Sequence, residues 1–234
     1  WSSGVCSSDL CAESNTPICW CGEDSLRFYA FGLTPNHTNE MPRLHAEIWA
    51  DKKRRTQVAR AMFRMRFPSV DVEGKSIKEL RGMEGLRVRA LYQEFGLKYG
   101  VTWKGRNYDR QNWEIADEIN QALSVANASL YALCAAVICS LGYLPSLGFI
   151  HTAGTLPFVY DVADLYKHLT SIPAAFRTIQ QFPKGNDELV RKLLKEQVEQ
   201  HRILQRMPKD LAQLFGVEEI MPMQAGSRPP SAIT

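Results

Sequence analysis

RFPSVDVEGKSIKELRGMEGLRVR, residues 66–89, decides the fold class of this chain. Ser76 followed three residues later by Glu79 is a capping-box signature, in which each side chain satisfies an orphan backbone N–H of a helix's first turn. The helical pattern then runs on to Tyr99. Inside it, Glu84 has Arg81 and Arg87 three residues to either side, on neighbouring turns, with Arg89 beyond. Such a group is commonly a surface salt-bridge ladder. Gly82 and Gly85 argue for more, because each weakens a helix interior by about 1 kcal/mol. They suggest that something approaches the backbone closely there.

Outward from this helix the periodicity stays helical. Leu44, Ile48, Val58, Ala61, Met62 and Met65 predict a helix over 44–67. A long apolar helix is predicted from about Glu114 to Leu141, and a further one starts near Phe158 and runs to Leu169. Ile172-Pro173 ends that helix or begins another, and Asn186 or Asp187 caps a helix running to Arg206. Upstream, TPICWC (16–21) and SLRFYAF (25–31) are β-rich and separated by Gly-Glu-Asp, which predicts a hairpin. GLTPNHTNEMP (32–42) reads as a linker, and the tail from Met221 is Pro-, Ser- and Gly-rich. The fold class is mainly α, a helical domain preceded by a short β-hairpin.

The net charge of +3 says little by itself, but the charge is unevenly placed. Between Arg43 and Arg110 there are 17 Lys and Arg against 8 Asp and Glu; the remainder holds 11 against 17. A polyanionic partner for the basic part follows. The six cysteines include no C-x-x-C, so neither a disulfide framework nor a zinc site is indicated, and a reducing cytoplasm is the simplest setting. Ser129 to Ile150 is long and nearly uncharged, but Pro145 and its glycines break the second half. It reads as a buried core helix ending near Leu141 rather than a membrane span. The first ten residues, WSSGVCSSDL, resemble a translated sequencing-adapter peptide and are set aside from fold reasoning.

Two further stretches carry chemistry: GFIHTAG around His151 and FVYDVADLYKH around Asp161 and Asp164. The two aspartates are i and i+3 in the first turns of a helix, where carboxylates also complement the helix dipole. A carboxylate at Glu84, an imidazole at His151 and this acidic pair supply the donors of a divalent metal site. Oxygen ligands suit Mg2+, and one imidazole adds tolerance for Mn2+. Such an ion polarises a phosphoryl oxygen, while nearby arginines neutralise the phosphate charge. In GRNYDRQNW (105–113), Tyr108 and Trp113 interleave with Arg106 and Arg110, a stacking platform for unpaired bases. There is no G-x-x-x-x-G-K-[ST], G-x-G-x-x-G or G-x-S-x-G. His45-Ala46-Glu47 imitates the H-x-E of zinc deaminases, but no P-C-x-x-C follows.

At these residues the chain resembles the CRISPR-associated integrase of spacer acquisition, CRISPR-associated protein one, subtype I-E. The resemblance covers about Leu26 to Ala175. It rests on residues 66–89, YGVTWKGRNYDRQNWE (99–114), INQALSVANASLYALCAAVICSLGYLPSLGFIHT (119–152) and FVYDVADLYK (158–167). It implies an N-terminal β domain and a C-terminal helical catalytic domain. It implies a metal-dependent DNA integrase and endonuclease of CRISPR adaptation, in a prokaryotic cytoplasm. In that reaction the 3′-hydroxyl of spacer DNA attacks the repeat by transesterification. Glu84, His151 and Asp164 fall on the family's Mg2+ or Mn2+ ligands, and Asp161 on an acidic position beside them. Arg27, Arg81, Arg87, Tyr108, Trp113 and Lys167 become DNA contacts. The implied partners are DNA, CRISPR-associated protein two and a second copy of the chain, with no membrane.

The loop HTAGTLP departs from the family's usual HTGKPLS, so Gly154 stands where a lysine phosphate contact is typical. The resemblance also implies that most of the N-terminal β domain is missing, residues 11–32 being its remnant. The expected organisation is 1–10 adapter, 11–32 β remnant, 33–43 linker, 44–220 helical catalytic domain and 221–234 tail. The alternative functions are a non-catalytic DNA-binding fragment of the same family and a helical interaction domain with no nucleic-acid role.

Overall fold

A computed structural model describes residues 39–105 and 117–217, together with 28–32, 18–21 and positions 10, 11, 13, 14 and 16. Arg27, Tyr108 and Trp113 lie outside the described residues, as does the tail from 218. The chain is mainly helical, as the sequence predicts. Strands β1 (Ile18–Cys21) and β2 (Phe28–Gly32) pair antiparallel with Ile18 opposite Gly32 and Trp20 opposite Ala30. This is the expected hairpin, and β2 lies against the long apolar helix.

The helix expected over 44–67 is two helices, α1 (Glu40–Ala50) and α2 (Lys52–Arg66). Asp51 divides them: its extended backbone ends α1, and its carboxylate accepts the N–H groups of Lys53 and Arg54 at the start of α2. Helix α1 also starts at Glu40, inside the stretch read as linker. Helix α3 (Ile77–Tyr99) begins with the predicted capping box at Ser76 and Glu79. It ends at Gly100, whose φ of 65° lets its N–H turn back to the Gly96 and Leu97 carbonyls.

Helix α4 (Glu118–Ser140) is the predicted apolar helix. It is long and apolar enough to cross a membrane, yet α5, α6 and α7 pack around it, which makes it the spine of the bundle. Helix α5 (Pro157–Tyr166) starts on Pro157, whose fixed φ suits a first helical turn. Helix α6 (Ser171–Gln181) shows that Ile172-Pro173 opens a helix rather than closing one. Asn186 caps α7 (Asp187–Gln200) as expected. The helix read on to Arg206 ends at Gln200 instead, because Arg202 takes a left-handed φ of 49° and a second helix, α8 (Ile203–Phe215), begins after it.

Two apolar clusters result. One gathers Phe149, Phe158, Tyr166, Met207 and Leu211 with residues of α1 and α2. The other gathers Tyr92, Leu123, Phe176 and Val190 between α3, α4, α6 and α7. Fully burying each such side chain contributes roughly 1.5–3 kcal/mol. α2, α3 and α5 meet at the junction of the clusters, and the polar residues gather there.

Candidate active site

A cleft of about 610 Å³ opens at this junction, with Glu84, Asp164, Arg66 and Lys167 in its lining and Arg89 and Lys104 at its walls. Glu84 comes from α3 and Asp164 from α5, and both reach the same guanidinium nitrogen of Arg66, at the end of α2. Arg66 Nη1 lies 3.3 Å from Asp164 Oδ2. Lys167 completes the group, its Nζ 2.6 Å from Asp164 Oδ1 and 2.8 Å from the Tyr131 hydroxyl. The partner of Glu84 is thus a residue of another helix, not the Arg81 or Arg87 of its own.

The electrostatics follow from this crowding. Burial pushes the Asp164 carboxyl up, but the Lys167 and Arg66 charges outweigh burial and hold it below the usual carboxylate range. Burial alone would lower the Lys167 ammonium; Asp164 and Tyr131 raise it instead. Both groups stay charged.

His151 does not line the cleft; it stands beside it in the loop after α4. Its ring Nδ1 lies 2.7 Å from Asp161 Oδ1. That same oxygen accepts the His151 backbone N–H at 2.9 Å, and Asp161 Oδ2 accepts those of Phe149 and Ile150 at 2.6 and 3.0 Å. A carboxylate accepting four bonds requires Nδ1 to be the donor, which leaves Nε2 with the ring's free lone pair when the ring is neutral. The bond to Asp161 raises the His151 pKa, burial opposes this, and the Asp164 charge adds to the rise.

The expected set therefore divides. The structure brings Glu84 and Asp164 together and pairs His151 with Asp161. Asp161, expected beside the metal ligands, is fully buried and spends both oxygens on the loop backbone and the His151 ring. Among the described residues, no three of His, Cys, Asp and Glu stand together as a ready metal cage. The donor chemistry nevertheless fits a hard divalent ion. Two carboxylates already converge on one positive group, and an imidazole nitrogen held by a carboxylate is the usual state of a metal-ligating histidine. For Glu84 and Asp164 to share an ion, Arg66 must yield to it.

Of the expected DNA contacts, Lys167 lines the cleft, although its charge is committed to Asp164. Arg87 faces the Phe67 ring at 5.8 Å and lines an adjoining hollow of about 280 Å³ with Phe67 and His168, which shares Arg66 and Lys167 with the cleft. Arg81 is exposed. Beyond the backbone of their own helix and their chain neighbours, Gly82 and Gly85 have no described atom within 4 Å of an added Cβ, and Gly85 fronts the open cleft. Sequence reasoning missed Arg66 and Tyr131. Neither carries a local signal, since each is ordinary in its own helix and meets the site only through tertiary packing. Trp103 was passed over too; it stacks on Tyr92 with centroids 4.8 Å apart and lines the cleft wall.

Residues 67–182 match the family model described as CRISPR associated protein Cas1. The CRISPR-associated endonuclease Cas1 of Clostridium sp. (strain SY8519) is 38% identical over 213 residues, which cover 90% of this chain and 71% of that protein. The chain belongs to the Cas1 family. CRISPR-associated endonuclease Cas1 2 of Thermus thermophilus is 44% identical over 206 residues, or 88% of this chain and 63% of that relative. The chain thus spans less than two thirds of that Cas1 protein's length. The crystal structure of the TtCas1-DNA complex superposes with a TM-score of 0.81 at 43% identity, covering 91% of this chain and 79% of that one. The matched Cas1 span holds Glu84, His151, Asp161, Asp164 and Lys167; Arg66 stands one residue before it.

Proposed function

We propose that this chain is a metal-dependent DNA integrase and endonuclease of CRISPR adaptation, of subtype I-E. The reading rests above all on one observation: carboxylates from α3 and α5 converge on a single cationic point at the floor of a basic cleft. Family membership and the likeness to a DNA-bound relative support it.

In the proposed reaction the 3′-hydroxyl of spacer DNA forms a new O–P bond at the CRISPR repeat. The old P–O bond breaks, and the departing 3′-oxygen takes up the proton that the attacking hydroxyl gives away. No protein nucleophile is required. Glu84, Asp164 and Nε2 of His151 would hold Mg2+ or Mn2+, which when bound supplies a Lewis acid for the phosphoryl oxygen. The chain's own residues do the rest. Arg89 and Lys104 neutralise backbone phosphates along the cleft. Trp103, backed by Tyr92, offers an aromatic face to an unpaired base. Asp161 keeps the His151 ring in one orientation. CRISPR-associated protein two and a second copy of the chain are the proposed assembly partners.

The test is a disintegration assay on branched DNA that mimics the half-integrated product, with Mn2+. Resolution of the branch that EDTA stops and His151→Ala reduces by at least about 10²-fold, with duplex binding unchanged, is the expected result. Full activity in His151→Ala would refute the assignment. A folded wild-type chain that binds DNA but never turns over would favour the non-catalytic DNA-binding fragment.

A further inference from the structure

The segment carrying His151 is held from two directions. Asp161 takes the N–H groups of residues 149, 150 and 151. The second hold comes from α1. His45 is completely buried, and its ring bridges two backbone groups of the segment. Nδ1 accepts the Leu144 N–H at 3.1 Å, so Nε2 carries the proton and donates it to the Leu147 carbonyl at 2.9 Å. The ring is stacked on Phe149 at 5.3 Å and meets Phe158 and Phe215 edge-on at 4.6 and 4.9 Å. Burial lowers its pKa to about 4, which keeps it in the neutral form that this bridge needs. One turn along α1, Trp49 donates its indole N–H to the Gly148 carbonyl at 2.9 Å.

The segment so gripped has no slack. A Cβ added to Gly148 would stand 2.2 Å from the His151 carbonyl oxygen and 2.7 Å from Pro157 Cβ. A shift at Leu147 or Gly148 therefore moves the backbone from which the His151 ring departs. We propose that His45 and Trp49 are positioning residues for His151: α1 fixes the backbone of its loop, as Asp161 fixes its ring. The inference rests on His151 acting in the reaction proposed above. A buried histidine serving only as core filling would be replaced without loss by an apolar ring; a positioning histidine would not, because Leu144 N–H and Leu147 C=O would lose their partners.

The experiment uses the full chain with His45→Phe, His45→Gln and Trp49→Phe. Phenylalanine fills the aromatic cage without either hydrogen bond. Glutamine can accept from Leu144 and donate to Leu147. Two readouts are taken: the hydrogen-bonded Nδ1 proton of His151 by NMR, identified by its loss in His151→Ala, and kcat and KM for branched DNA with Mn2+. His45→Phe is expected to weaken or abolish the His151 proton signal and to lower kcat about 10²-fold at unchanged KM. His45→Gln should restore both. Trp49→Phe should lower kcat about tenfold, and it carries the test if His45→Phe does not fold. The proposal is overturned if a folded His45→Phe keeps the signal and full activity, if His45→Gln is as damaged as His45→Phe, or if Trp49→Phe has no effect where it alone folds. If wild-type chain proves inactive while the signal responds as expected, the integrase reading fails and the positioning role stands.

Discussion

Asp161 and Asp164 sit three residues apart on α5 and anchor two regions built on different principles. Around Asp164 the site is held by charge: Arg66 and Lys167 grip it, and Arg66 grips Glu84 as well. Around Asp161 it is held by hydrogen bonds to backbone, with His45 and Trp49 doing the same from α1. A charged contact is exchangeable. Any cation of suitable size can take the place of another, and a phosphate can compete for the guanidinium. A backbone hydrogen bond is not exchangeable, because nothing in solution presents an acceptor in that enclosed place. The first region suits binding and turnover, and the second suits keeping one ring still.

The comparison can be broken most forcefully at its rigid end. Asp161→Ala leaves the N–H groups of 149, 150 and 151 without their acceptor in a buried place, and it should cost roughly 4 kcal/mol. Urea denaturation measures this, and Mn2+ should recover none of it. At the exchangeable end, Arg66→Met strands the partly buried Glu84 and leaves Asp164 to Lys167 alone, and it should cost about 3 kcal/mol in EDTA. Here Mn2+ should raise the melting temperature more than it does in wild type, since the ion restores the missing charge. Equal metal responses in the two variants would erase the distinction.

The smallest effect concerns pH. The His45 pKa falls from 6.5 to about 4 on folding, so between those values the unfolded chain binds the extra proton and the folded chain does not. Stability from this group is complete above about 6.5 and is lost as pH drops toward 4. The loss should be about 1.4 kcal/mol at about pH 5.5 and should grow toward about 3 kcal/mol as pH nears 4. His45→Gln, which cannot titrate, should flatten that part of the stability profile.

The α3 helix was legible because its capping box is local: Ser76 and Glu79 need only each other. The Asn186 cap and the apolar α4 were legible for the same reason. The break at Asp51 carried a usable signal, an N-cap residue before a basic run, which the apolar periodicity on both sides concealed. The break at Arg202 carried none, since neither glycine nor proline marks it. Among the candidate site residues, Glu84, His151 and Asp164 stood out by type and by family resemblance. Arg66 did not, because one arginine in FRMRF looks like its neighbours until α2 is packed against α3 and α5. Asp161 was recognised as present, but its job was not, since a carboxylate that serves backbone N–H groups leaves no trace in sequence.

Gly82 and Gly85 bracket Glu84 on an exposed turn of α3, with no described atom beyond their own helix near enough to brace them. Each costs the helix about 1 kcal/mol relative to alanine. α3 should therefore open locally around these glycines more often than α5 does, exchanging its amide hydrogens while α5 still protects its own. One carboxylate would then ride on a part of the molecule that opens and the other on a part that stays closed, and a bound polyanion would find a jaw with a single moving side.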